Sequence, residues 1–293
     1  MTVQDDGVRL ADAFETHRPR LRAIAYRMLG SLSEADDAVQ ESWMRLTRTG
    51  EDVRNVGGWL TTVVSHICLD MLRSRREEPL GLRLPDPVVS HPSGLDPEQE
   101  TLLADSVGLA LLVVLQRLDP AERLAFVLHD MFAVPFDEIA PVVERSAVAA
   151  RKLASRARRR VQEAAPVPDA DIGRQREAVE AFLRAAREGD FGALLAVLDP
   201  GVELRADVGP VPSGVPTRFS GARDVSERAA AFSSRAPFAR PALVNGAAGL
   251  VAVADGRVLT VMAFTVRGGK IAGIDILADP ERLSAVDPAV VGG

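Results

Sequence analysis

Hydrophobic positions in residues 8–76 repeat with the spacing of amphipathic helices. Around residue 40, the predicted buried face consists of Ala35, Ala38, Val39, Ser42, Trp43 and Leu46. A second stripe on the same helix, at spacings i, i+3, i+4 and i+7, contains Asp37, Gln40, Glu41 and Met44. In the next helix the predicted buried row is Leu60, Val63, Val64, Ile67 and Met71, and a different row contains Trp59, His66, Asp70 and Arg73. The first segment is therefore predicted to be helical.

Residues 99–163 show a second helical pattern. Asp119, Pro120 and Glu122 provide an N-cap, a proline at the first helical position and a glutamate at the third, which is a strong helix start. A short helix follows, with Phe136, Ile139, Ala140 and Val143 predicted to be buried. After the turn 144–146 comes a cationic helix whose predicted inward face is Ala150, Leu153, Ala154, Ala157 and Val161. Helix, tight turn and cationic helix form a helix-turn-helix arrangement, although a merely solvated cationic face is the alternative.

Residues 174–283 change from helical to strand periodicity. Val179, Phe182, Leu183 and Ala186 mark one amphipathic helix, which Gly189 is predicted to end. Residues 250–277 then predict three antiparallel strands, joined by type I′ turns at 255–256 and 268–269. This segment is therefore predicted to be a small α+β domain. Two proline-rich stretches, 77–98 and 164–173, are predicted to be linkers.

Charge is distributed unevenly along the chain. The 293 residues carry a net charge of −6, yet residues 145–160 contain seven cations and no acid. A basic helix on an acidic protein indicates a polyanion-binding surface that needs a further partner for affinity. Cys68 is the single cysteine, so no internal disulfide and no cysteine-based zinc site is expected. Without a signal peptide or an apolar stretch of about 18–20 residues, the chain is expected to be cytoplasmic and not membrane-bound.

Several motifs occur together in one order along the chain. D-A-V-Q-E at 37–41 precedes W-L at 59–60 and D-x-L-R at 70–73, and the helix-turn-helix closes the series. Over about residues 10–163, this set resembles the extracytoplasmic-function (ECF) sigma factors of RNA polymerase. The C-terminal segment resembles the SnoaL-like branch of the NTF2 superfamily. Together they resemble the group of sigma factors that carries a fused SnoaL-like domain.

The resemblance implies a multidomain fold, in which two all-α sigma domains precede an α+β NTF2/SnoaL-like cone. Region 2, a helical bundle at 8–76, would bind core polymerase and the −10 element, and region 4, the helix-turn-helix at 99–163, would bind the −35 element. The cone would span 174–283 and regulate the other two domains. The linkers would be 77–98 and 164–173.

The same resemblance implies roles for individual residues. Asp37, Gln40 and Glu41 would dock on the clamp of the largest polymerase subunit, unless that stripe is an ordinary solvated face. The implied −10 contacts are Trp59, His66, Arg73, Arg75 and Arg76. A common pattern in the family has asparagine at the position of His66, which could instead be a surface histidine bonded to Asp70. The implied −35 contacts are Ser146, Ala147, Ala149, Arg151, Lys152, Ser155, Arg156 and Arg159.

Regulatory residues follow from two further motifs of the group. Its linker motif W-L-P-E-P corresponds to residues 83–87 here, so the candidates are Leu84, Pro85, Asp86 and Pro87. Its D-G-G-G-K loop is replaced by D-V-G-P at 207–210, while N-P-D-K-L survives loosely as D-P-E-R-L at 279–283. The candidates in the C-terminal domain are therefore Asp207, Asp279, Pro280 and Leu283.

These observations predict a sigma factor that needs core polymerase and promoter DNA as partners. No cofactor and no metal is expected, and a small ligand in the C-terminal pocket is left open. Residues 174–293 contain no His, Cys, Tyr or Trp, which leaves only carboxylates such as Asp207 and Asp275 for acid–base work. An enzyme is therefore not expected. The alternatives are a ligand-responsive one-component regulator that binds DNA without polymerase and, more weakly, a SnoaL-like isomerase with a DNA-binding appendage.

Overall fold

The computed structural model describes residues 3–49, 53–75, 83–94, 102, 108–164, 168–210, 217–231 and 236–291. These residues form two compact units. The N-terminal unit contains residues 3–75, 102 and 114–164, and the C-terminal unit contains residues 83–94, 108–113 and those from 168 onward. The helices expected at 8–76 and most of those expected at 99–163 thus share one unit.

The N-terminal unit is helical, as its periodicity predicts. Its first three helices are α1 (Val3–Leu29), α2 (Leu32–Thr49) and α3 (Val56–Ser74). Helix α4 (Leu109–Gln116) crosses the division between the units. The remaining helices of the N-terminal unit are α5 (Pro120–Phe126), which continues as a π-helical turn (Val127–Met131), α6 (Phe136–Val142) and α7 (Ala147–Ala164).

Helices α2 and α3 bury most of the predicted positions. On α2 the buried residues are Ala35, Ala38, Val39, Ser42 and Leu46, and Trp43 is half-buried against Phe14. On α3, Leu60, Val64 and Ile67 are buried, but Val63 and Met71 are only half-buried. Helix α3 also buries Thr61 and Ser65, whose hydroxyls donate to carbonyls four residues earlier at 2.8 and 2.6 Å. Small polar residues can therefore join the core because their own helix satisfies them.

A buried arginine joins two helices of the N-terminal unit. Arg123 on α5 donates from Nε and Nη2 to the carbonyl of Arg27, near the C-terminus of α1, at 3.0 and 2.8 Å. Burial lowers the pKa of Arg123 to about 9, so the side chain remains a cation at neutral pH. A cation at the C-terminal end of α1 also complements the helix dipole. The guanidinium thereby links α1 to the start of the helix-turn-helix segment.

The C-terminal unit contains a seven-stranded sheet and several helices. Its strands are β1 (Val89–Ser90), β2 (Leu198–Asp207), β3 (Arg218–Ser220), β4 (Ala239–Val244), β5 (Ala247–Ala254), β6 (Arg257–Arg267) and β7 (Lys270–Leu277). Their order is β1-β4-β5-β6-β7-β2-β3, and only the β2–β7 pair is parallel. The helices are α8 (Ile172–Glu188), α9 (Phe191–Val197), α10 (Ala222–Ala231) and α11 (Pro280–Leu283).

Both predicted hairpin turns and the predicted helix stop are confirmed. Residues 255–256 and 268–269 all have φ between +51° and +73°, as type I′ turns require. Gly189 ends α8 with φ +66°. The buried side of α8, which includes Phe182 and Leu183, packs on the sheet face formed by residues such as Leu204 and Ile274. Among the described helices, none is long and apolar enough to cross a membrane.

Candidate functional site

The turn before α7 has the geometry of a helix-turn-helix. Ser146 is the N-cap, and its Oγ accepts a hydrogen bond from the N–H of Ala149 at 3.3 Å. Glu144 adopts φ +54°, the left-handed conformation that glycine would adopt at lower cost. Pro141 lies inside α6, one residue before its end. The turn therefore forms as predicted, although it contains a residue that is strained in this conformation.

Three of the cations on α7 are paired with acids of the same segment. The carboxylate of Glu122, which is buried, lies 2.8 Å from Arg160 and 3.5 Å from Arg156. Arg158 donates from Nε to Asp130 at 2.7 Å. Arg156 is among the predicted −35 contacts, and Glu122 has the predicted position of a capping residue. In the structure Arg156 belongs to a cluster that fastens one edge of α7 to α5.

The outward face of α7 contains the other predicted contacts. Lys152, Ser155 and Arg159 are exposed and form no hydrogen bond or ion pair with any described residue. The guanidinium of Arg151 lies 5.3 Å from the ring centroid of Phe136, which holds it by a cation–π contact. Ala147 and Ala149 are half-buried in the first turn. This face therefore combines small residues near the helix start with cations further along the helix.

The stripe on α2 is also largely accessible. Asp37 and Gln40 are exposed, and within the described part of the chain neither forms a hydrogen bond or an ion pair. Glu41 is half-buried and lies 2.8 Å from Arg45 and 3.7 Å from Arg48. A groove of about 320 Å³ lies between α1 and α2, and Gln40 is on its edge. The stripe thus presents an unpaired carboxylate and an amide beside a partly apolar groove.

The predicted −10 residues differ in their availability. Trp59 is half-buried and Arg73 is exposed on α3. The Nδ1 atom of His66 is 3.0 Å from the carbonyl oxygen of Thr62, and no bond to the exposed Asp70 is found. Arg75 pairs with Glu34 and donates to the carbonyl of Leu29 at 3.1 Å, so its guanidinium is engaged within the unit. Arg76 lies outside the described residues.

Within the C-terminal unit, the linker residues 84–86 are held by one arginine and one aspartate. Arg282 on α11 donates to Asp207 at 2.6 Å, to the carbonyl of Leu84 at 2.7 Å and to Asp86 at 3.1 Å. Asp207 also accepts a hydrogen bond from the N–H of Leu84 at 2.8 Å. The side chains of Arg282 and Asp207 are only 14% and 6% exposed. We call this set of contacts the linker clasp (Leu84, Asp86, Asp207 and Arg282).

The linker continues from the clasp into the sheet. Val88 and Asn245 exchange hydrogen bonds, because the Val88 N–H donates to the Asn245 amide oxygen and the Asn245 N–H donates to the Val88 carbonyl, at 3.2 and 2.8 Å. Strand β1 then pairs antiparallel with β4. Leu84, Pro85 and Pro87 are buried. Residues 84–90 are therefore an integral part of the C-terminal unit.

The other predicted residues at the C-terminal end of the chain position Arg282. Asp279 caps α11 by accepting from the N–H of Glu281 at 3.0 Å, Pro280 occupies its first turn, and Leu283 is buried. Arg282 itself was not predicted, although it lies within the quoted motif at 279–283. A signal was present, because the buried carboxylate of Asp207 and the partly buried carboxylate of Asp86 need a cation that another part of the chain supplies.

The carboxylates considered for acid–base chemistry are both engaged in ion pairs. Asp275 and Arg205 form a two-bond pair at 2.6 and 3.0 Å across the neighbouring strands β7 and β2. Asp207 belongs to the linker clasp. Neither lines the cavity of about 50 Å³ inside the unit, whose walls are apolar apart from the hydroxyl of Thr260. Among the described residues that line the cavity, none is an acid, a base or a nucleophile of catalytic strength.

Comparison with known proteins gives matches over nearly the whole chain. Family models described as Sigma-70 region 2 and Sigma-70, region 4 match residues 13–78 and 108–161. The chain is 35% identical over 291 residues to the probable ECF RNA polymerase sigma factor SigI of Mycobacterium tuberculosis, covering 96% of this chain and 97% of SigI. It is 38% identical over 288 residues to SigJ of the same species, covering 92% of each. The crystal structure of SigJ matches with a TM-score of 0.76 at 34% identity, and the match covers 94% of this chain and 98% of the crystallised SigJ chain.

Proposed function

Because the chain belongs to the ECF family of RNA polymerase sigma factors, we propose that its linker clasp controls promoter-specific initiation in cis. The family directs transcription initiation with core RNA polymerase and promoter DNA as partners, which does not fit the one-component regulator. The linker clasp is the observation that supports this proposal. Two residues of the linker between the two DNA-binding segments, Leu84 and Asp86, are held by hydrogen bonds to the C-terminal unit. Holding the linker restricts the separations that α3 and α7 can adopt on a promoter.

Core polymerase binds through the stripe on α2 in this proposal. Asp37 and Gln40 are exposed and unpaired within the described residues, so docking on a basic surface does not require breaking an internal contact. Glu41 exchanges its contacts with Arg45 and Arg48 for contacts with the polymerase clamp. The half-buried Trp59 and His66 and the exposed Arg73 on α3 face the −10 element. Arg75 contributes less, because its guanidinium is already engaged.

Co-purification with core polymerase tests the α2 surface. Replacing Asp37, Gln40 and Glu41 by alanine should abolish binding while leaving circular dichroism unchanged, since none of the three lies on the buried face. A matched control replaces two exposed acids on α8, Glu177 and Glu180, and should bind core normally. A folded triple variant that binds core as the unmodified protein does would place the docking surface elsewhere.

Transcription in vitro tests control by the C-terminal unit. Trimming the chain after Asp279 removes Arg282 and should raise output from a cognate promoter, because the linker is released. Removing everything after Ala165 should change output again, since the sheet that binds residues 88–90 is lost as well. All three proteins are compared at equal active concentration with the same core enzyme. Identical output would show that the clasp does not regulate.

A further inference from the structure

Helix α7 carries an exposed aliphatic side chain that the fold of the N-terminal unit does not require. Val148 is 62% exposed, more than any other large hydrophobic residue in the described part of the chain. It lies in the first turn of α7, one residue after the helix begins. Valine also has a lower helix propensity than alanine, which occupies both neighbouring positions. Exposure and propensity both disfavour valine here, so the folded chain alone gives no reason for it.

The position of Val148 around the helix points to the DNA-facing side. At about 100° per residue, Val148 lies roughly 160° from Ala150, which is fully buried against the rest of the segment. The same arithmetic places Lys152, Ser155 and Arg159 within about 40° of Val148. Val148 therefore lies at the N-terminal end of the row of side chains that points directly away from the rest of the segment, which we call the outermost line (Val148, Lys152, Ser155 and Arg159). The paired arginines at 156, 158 and 160 lie towards the two edges.

A valine side chain has no charge and forms no hydrogen bond, so it does not stabilise a contact with a phosphate or with a hydrogen-bonding base edge. In the major groove, the apolar feature that a side chain can contact is the C5 methyl group of thymine. Helix-turn-helix proteins place the N-terminal residues of the recognition helix against base edges. Lys152, one turn further along the same line, supplies charge for the DNA backbone or for a guanine edge.

We propose that Val148 is a specificity residue that selects an A·T pair in the −35 element by packing on the thymine methyl group. This assignment rests on the proposed function, because it requires α7 to enter the major groove of promoter DNA. The exposed valine becomes buried only in the complex with the correct base pair. It thereby adds discrimination without a hydrogen bond.

Removing the thymine methyl group tests the assignment directly. Holoenzyme is assembled from core polymerase and the full chain, and each −35 thymine of a selected promoter, on either strand, is replaced in turn by deoxyuridine. Loss of one buried methyl group should weaken promoter complexes of the unmodified protein about fourfold at a single position, equivalent to about 0.8 kcal/mol. With Val148→Ala the thymine and deoxyuridine promoters should bind equally at that position. Val148→Ala should fold normally, since alanine favours the helix.

Two controls separate this effect from general changes in binding. Lys152→Ala should weaken thymine and deoxyuridine promoters equally, and Leu259→Ala, an exposed apolar residue of the C-terminal unit, should leave the fourfold difference intact. Three results would overturn the assignment. The −35 element of the selected promoter contains no thymine, or no thymine position responds to deoxyuridine, or Val148→Ala and the unmodified protein respond to deoxyuridine equally. If unmodified holoenzyme forms no promoter complex beyond that of core alone, the proposed function itself fails, and the assignment with it.

Discussion

Replacing Arg282 by alanine should weaken the hold of the C-terminal unit on residues 84–86 and so raise the population of the released linker. The side chain supplies hydrogen bonds to three acceptors, two of them carboxylates. Removing one member of a buried ion pair costs about 3–5 kcal/mol, because the remaining charge stays buried. Asp86 is 23% exposed and can be rehydrated, and Asp207 keeps its bonds from Leu84 and Gly209. We therefore expect the lower end of that range, about 3 kcal/mol.

That free energy corresponds to a rise of about two orders of magnitude in the population of released linker. Amide hydrogen exchange measures it, because the Leu84 N–H donates to Asp207 in the clasp and exchanges with solvent when the clasp opens. The amide of Val88, which bonds to Asn245 instead, should be less affected. Transcription by the variant should approach that of the chain trimmed after Asp279.

Arg267→Ala is the matched control for this experiment. Its guanidinium lies 3.3 Å from Asp199 in the same unit, but it is 54% exposed, so its loss should cost less than about 1 kcal/mol. Arg282→Lys keeps the charge but cannot reach three acceptors with one ammonium group, so it should restore only part of the protection. Unchanged exchange at Leu84 in Arg282→Ala, or an equal increase in the control, would refute the clasp as the element that holds the linker.

Two further predictions concern stability. Arg123→Ala should lower the free energy of unfolding by about 3 kcal/mol in chemical denaturation, since it leaves a cavity and removes two hydrogen bonds to the Arg27 carbonyl; a loss below about 1 kcal/mol would contradict this. Hydrogen bonds from the backbone N–H groups of Gly269 and Gly268 lower the pKa of Asp169 in the folded protein. The ionised carboxylate therefore stabilises the fold at a pH above the unfolded-state pKa of about 3.9, and this stabilisation is lost as the pH falls through the lowered pKa of the folded state. Asp169→Asn should therefore weaken the acid-range pH dependence of thermal unfolding, and an unaltered dependence would refute that origin.

Local sequence signals predicted the elements whose causes are local. The N-caps at Asp119 and Ser146, the type I′ turns and the stop at Gly189 all depend on residues within a few positions of one another. The helix-turn-helix and the strand meander follow from such signals. Pattern and structure therefore agree at these positions.

Features that depend on distant residues were not predictable in the same way. The proline-rich linker contains a strand, because Asn245, 157 positions from Val88, offers hydrogen bonds at the free edge of β4. Glu122 has the sequence pattern of a capping residue, yet the arginines of α7 bury it in an ion-pair cluster. Arg282 acquires its partners only when α11 follows β7 and the linker lies beside them.

The concentration of cations on α7 has two separate physical roles. Arg156, Arg158 and Arg160 pair with acids of α5 and of the π-helical turn, so they fix how the helix sits on its own segment. Lys152 and Arg159 have no partner among the described residues, and they lie on the outermost line with Val148. In the proposed −35 complex only Lys152 and Arg159 would gain a partner from a DNA phosphate, because the three arginines would have to exchange an existing partner for it. The −35 affinity should therefore depend on far fewer cations than the sequence contains, which leaves the acidic protein dependent on core polymerase for stable promoter binding.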